Sequence, residues 1–170
     1  MELESAQFLA LSREILGRGC SLRFQATGSS MFPAIPSGSV IRVEPAEPAS
    51  LRPGDVIFYR HGIAGLAVHR LVGRRAVQGK VRLLTRGDSL PRGAVEEVAP
   101  EQVLGRVAAV AWRGLALRLD AGPGRALGLL LARMAPLALL LYPAWRRLKE
   151  IFSRQPRVPR SLSGADIPPS

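Results

Sequence analysis

Residues 54–88 read GDVIFYRHGIAGLAVHRLVGRRAVQGKVRLLTRGD, and their texture decides the fold class. Three runs stand out within them: GDVIFYR, LAVHRLVGR and KVRLLTRG. Each is short, rich in β-branched or aromatic residues, and bounded by Gly, Pro or Asp, which is how strands and their turns are written. Pro53 and Gly54 suit a tight turn leading into the first run. Working outward, SLRFQATG (21–28) alternates so that Leu22 and Phe24 share one face. SVIRVEP (39–45) and VLGRVAAVAWRG (103–114) continue the pattern. No repeat period is visible. The sequence therefore predicts a mainly β domain over residues 21–120.

The flanks differ in kind. Apolar Phe8, Leu9, Leu11, Ile15 and Leu16 lie close to helical spacing, and Gly17 and Gly19 follow, so residues 1–20 are read as an amphipathic helix. Glu2 and Glu4 stand where a secretory signal would carry positive charge, which argues against a signal peptide. Residues 121–150 contain ALGLLLARMAPLALLLYPAW (126–145), long enough to cross a bilayer but interrupted by Arg133 and by Pro136, which would kink a helix. Tyr142 and Trp145 suit an interfacial belt, with Arg146, Arg147 and Lys149 after them. This stretch is expected to be a hydrophobic helical segment, either membrane-associated or packed on protein. Residues 151–170 are rich in Pro and Ser and are expected to form a disordered tail.

Net charge is +11, from 24 basic and 13 acidic residues. Such an excess raises nucleic acid as a partner. However, the arginines are scattered, and aromatic residues make up 5% of the chain, too few for base-stacking platforms. We therefore expect no nucleic-acid partner, and a basic surface with some attraction to anionic lipid. Cys20 is the one cysteine, so no internal disulfide can form and no cysteine cluster suggests a metal. No cofactor or metal is expected.

Chemistry concentrates in GSSMFP (28–33) and in the boxes downstream. A serine hydroxyl attacks a peptide carbonyl only when a neighbouring base takes its proton. Of the two histidines, His61 precedes Gly62 in a loop and is expected to be exposed, whereas His69 lies in an apolar strand that would keep it neutral and able to accept a proton. Lys80 is the alternative base, but VQGKVRL places it at a hairpin turn, where an exposed lysine stays protonated. Asp88, at the end of LLTRGD, is the acid available to orient the histidine, or else a plain turn aspartate.

In their order, GSSMFP, LRPGDVIFYR, AVHRLVGR, LLTRGD and VLGRVAAV resemble the signal peptidase and repressor-autoprotease group of serine peptidases. The likeness is to the signal peptidase I subtype that uses histidine, and it spans roughly residues 21–112. It implies a coiled β-sheet domain with Ser30 as nucleophile, His69 (followed by Arg70) as general base, and Asp88 as its acid. It also implies that Gly28, Ser29 and Met31 border the oxyanion hole and substrate groove. Two departures stand out. Many members have Ser or Thr at the position of Gly28, which leaves the backbone N–H of Ser30 as oxyanion donor. Histidine-type relatives often carry a second aspartate, where this chain offers Glu96 and Glu97 as alternatives to Asp88.

The expected substrate is a precursor protein or peptide bound in extended form by strand addition, with small side chains before the scissile bond by family likeness. Relatives place a membrane anchor before the catalytic domain, whereas here the apolar segment follows it. A broken helix lying along the interface fits that order, and membrane association is the expected location, with a cytoplasmic protein as the alternative. The functions in view are signal-peptide removal at a membrane, leader-peptide processing in the cytoplasm, and a catalytically silent regulatory domain. A DNA-linked repressor is disfavoured, because about twenty residues before the β domain are too few for a helix-turn-helix module.

Overall fold

A computed structural model describes residues 2–119 apart from 64 and 92, together with positions 126 and 130. The expected apolar segment at 126–145 (those two positions aside) and the expected tail at 151–170 thus lie outside the described residues. Among the described residues, one α-helix, α1 (Glu2–Gly17), precedes eight strands: β1 (Leu22–Gln25), β2 (Val40–Glu44), β3 (Val56–His61), β4 (Gly65–Val77), β5 (Lys80–Arg86), β6 (Glu96–Val98), β7 (Val103–Trp112) and β8 (Leu115–Arg118). All pairings are antiparallel, in the order β1-β2-β7-β3-β4-β5-β6, with β8 beside the end of β7. The mainly β expectation holds, and each of the six sequence runs contains a strand.

Register shifts at Arg42/Val43, Phe58/Tyr59 and Leu71/Gly73 interrupt three of the pairings. Bulges of this kind bend a strand and raise its twist, and the curled sheet builds a core on each face. One core joins Val56 and Phe58 of β3 to Leu22, Ile41, Val107 and the helix residue Leu16. The other joins Ile57 and Tyr59 of β3 to Leu71, Leu83 and Val98. Strand β3 is thus buried on both faces, which explains its unbroken Val-Ile-Phe-Tyr run.

Helix α1 covers the first core through Phe8, Ile15 and Leu16. Phe8 meets Phe24 edge-on, with ring centroids 5.2 Å apart. The helix is rotated slightly from the sequence expectation. Leu11 is exposed and Ser12 fully buried, its hydroxyl donating to the Phe8 carbonyl at 2.7 Å, so no polar group is stranded. Among the described residues no helix is long and apolar enough to cross a membrane.

Candidate functional site

Ser30 lies in the turn after β1. Gly28 enters that turn at φ +98°, a conformation open to glycine. Phe32 N–H then donates to Ser29 O at 3.1 Å, and Ile35 N–H to Met31 O at 2.8 Å. Met31 and Ile35 anchor the turn in the first core.

A second segment holds the turn from the side. Ser89 N–H donates to Ser30 O at 2.9 Å, and the Ser89 hydroxyl donates to Ser29 O at 2.8 Å. Gly87 makes this approach possible: a Cβ there would stand 2.6 Å from Ser30 O and 3.0 Å from Ser30 Cβ. The register pairing Arg70 with Arg86 sets the next residues along, His69 and Gly87, level with each other. Ser30 therefore packs where the end of β5 meets the histidine's stretch of β4.

His69 stands opposite Ile57 on β3, so its ring joins the face that carries Tyr59, Leu71 and Thr85. It is 8% exposed. Nδ1 lies 2.9 Å from the Tyr59 hydroxyl, which donates to Glu96 Oε2 at 2.6 Å. The same Glu96 oxygen is 3.6 Å from His69 Nδ1 and 3.5 Å from Nδ1 of exposed His61. Burial pulls the His69 pKa below its ordinary value, with nearby Glu96 pulling the other way. Tyr59 is pushed well above its ordinary value by burial and by its bond to Glu96, and so keeps its proton.

Ser30 and His69 line one cavity of about 350 Å³. Gly28 and Met31 also line it, with Phe8, Phe24, Phe58, Leu66 and Val68 supplying its apolar walls beside polar Ser5, Gln25 and Thr27. Ser29 is exposed and is tied instead to Ser89. Among the described residues, the Ser30 hydroxyl makes no hydrogen bond to the His69 ring. Such bonds are often long in unliganded sites and tighten with substrate. Lys80 opens β5 opposite Val77, exposed, as its sequence context suggested.

Asp88 is placed differently from its sequence-based role. It is 1% exposed and gives both carboxylate oxygens to Arg70, so its hydrogen bonds serve the guanidinium and not the imidazole. Its charge still acts on His69 at longer range. The hydrogen-bond partner of His69 is Tyr59, which sequence reasoning passed over. Its signal was an aromatic hydroxyl in an otherwise apolar strand, a group that must find a partner once buried. Of the two alternative acids, Glu96 reaches this cluster, whereas Glu97 pairs with Arg75 at the surface. No group of His, Cys, Asp and Glu suited to a metal occurs among the described residues. No protein-family model matches the chain, and no curated protein matches it.

Proposed function

We propose that the chain is a serine endopeptidase that cleaves a leader or signal segment from a precursor held in extended form. The observation that carries this reading is the shared cavity, which the turn serine Ser30 and the buried, neutral-leaning His69 both line. In the reaction, Ser30 Oγ attacks the scissile carbonyl while His69 Nε2 takes its proton. The tetrahedral intermediate collapses as His69 returns that proton to the leaving amine, and water then releases the acyl group by the same steps in reverse. The Ser30 N–H is the oxyanion donor, and a Cβ at Gly28 would meet nothing within 4 Å, so the turn leaves room for the substrate carbonyl.

Strand geometry supports an extended substrate. Residues 66–69 of β4 pair with β3 on one edge, while pairing with β5 begins only at Arg70. Across the cavity lie Gln25, Ala26 and Thr27, at and beyond the end of β1, the first strand in the sheet order. A peptide laid between these edges gains backbone hydrogen bonds by strand addition.

The test is labelling of the full chain with a fluorophosphonate, followed by peptide mapping, alongside cleavage of a precursor-peptide library. Label on Ser30, lost in Ser30→Ala and in His69→Ala with both variants folded, supports the reading. Cleavage undiminished in Ser30→Ala overturns it.

A further inference from the structure

The Tyr59 hydroxyl has one proton and two close polar neighbours, Glu96 Oε2 at 2.6 Å and His69 Nδ1 at 2.9 Å. A carboxylate only accepts, so the proton on the shorter contact belongs to the tyrosine and points at Glu96. The tyrosine oxygen is then an acceptor toward the ring, and the hydrogen between them must sit on Nδ1. A neutral imidazole carries one N–H, so Nε2 is left with a bare lone pair. That is the nitrogen a general base needs toward a hydroxyl. Without Glu96 the tyrosine could turn its proton to Nδ1 and leave the ring as the Nε2–H form, which cannot accept.

We infer that Tyr59 and Glu96 are positioning residues that fix the Nδ1–H tautomer of His69, a task that Asp88, taken up by Arg70, does not perform. The use of this tautomer in catalysis rests on the peptidase reading above, but the tautomer itself does not. Sheet pairing holds the parts in place: Glu96 lies opposite Thr85, which pairs with Leu71 of β4, and Tyr59 is within β3 two residues from the partner of His69.

The test uses the full chain with ¹⁵N-labelled imidazoles near neutral pH, with His61→Asn to assign the two rings. Long-range ¹H–¹⁵N spectra show which nitrogen of His69 is protonated, a readout that loss of packing alone does not mimic. The wild type is expected to show protonated Nδ1 and bare Nε2. Glu96→Leu removes the acceptor, leaves the tyrosine proton free to turn to Nδ1, and should convert the ring to the Nε2–H form. Fluorophosphonate labelling of Ser30 should fall about 10²–10⁴-fold in the same variant, the scale of general-base loss. Tyr59→Phe should lose the tautomer preference, and the wild-type spectrum and Glu96→Leu decide the matter if that variant does not fold. A wild-type ring protonated on Nε2, or a Glu96→Leu ring unchanged from wild type, overturns the inference. The expected tautomer in a wild-type protein whose Ser30 never labels upholds the inference and removes the peptidase reading.

Discussion

Arg70 holds Asp88 with a two-pronged grip, Nε to Oδ1 at 2.8 Å and Nη2 to Oδ2 at 2.6 Å, and the two side chains are 3% and 1% exposed. The third arm, Nη1, donates to Gly54 O at 2.8 Å. One guanidinium thus ties β4 to the turn before β3 and to the segment that holds Ser30. Removing one partner of a buried pair strands the other charge. Asp88→Ala should therefore cost about 3–5 kcal/mol in urea unfolding, with Ser30 labelling falling alongside as the turn loosens. Arg70→Lys should not rescue the fold, because an ammonium cannot reproduce the fork. Stability unchanged in Asp88→Ala would show that the pair does not hold these segments together.

Two glycines separate the site from the scaffold. Gly87→Ala would drive a Cβ to 2.6 Å from Ser30 O and 3.0 Å from Ser30 Cβ, displacing the turn from Ser89. Ser30 labelling should fall at least tenfold, with the folded domain retained. Gly105→Ala instead meets Glu44 O at 2.5 Å and Val43 Cγ1 at 2.8 Å, where β7 packs on β2. It should cost about 1–3 kcal/mol of stability, as overpacking does, while labelling per folded molecule stays at the wild-type level. Denaturant melts run beside labelling assays check both.

The main strands were legible because alternation and turn residues are local signals, and FQ, VIRV, VIFYR, VHRLV and VRLLT each fell in a strand. Strands β6 and β8 escaped notice because their EEV and LALR show no alternation of apolar and polar residues. The site was legible in part. Ser30, His69 and the segment at Gly87-Asp88 come together, but which cation or ring Asp88 serves is set by the packing of β4, and no spacing in the chain encodes that. The bond between Tyr59 and Glu96 joins residues 37 apart. Only the order β3-β4-β5-β6 brings them onto one face.

Phe8 connects the helix to the cavity. Its ring lies edge-on to Phe24, and both line the wall beside Ser30. Phe8→Ala should cost about 1–2 kcal/mol, below the ~3–5 of a fully buried phenylalanine, because the ring is half-buried. For peptide cleavage, the expected change is a raised KM with kcat nearly constant, since the lost contact is made equally in ground and transition states. A fall in kcat with unchanged KM would place Phe8 elsewhere in the mechanism.

The pH dependence follows from the burial of His69, which lowers its pKa first, with Glu96 raising it, His61 lowering it and Asp88 raising it in smaller measure. In the proposed mechanism the neutral ring is the base, so Ser30 labelling should hold its plateau down through the ordinary histidine range and fall only at more acid pH. Glu96→Gln removes the carboxylate that favours the imidazolium and should move the remaining acid limb lower still. The same shift governs stability. An unfolded imidazole takes up a proton near pH 6.5, while the folded ring is still neutral. Stability present above about pH 6.5 is therefore lost as pH falls from there through the folded pKa. His69→Gln should flatten this part of the curve of urea midpoint against pH. An unfolding midpoint that rises between pH 6.5 and 5 through His69 would mean that the folded state favours the imidazolium, and the ring could not then be the resting base.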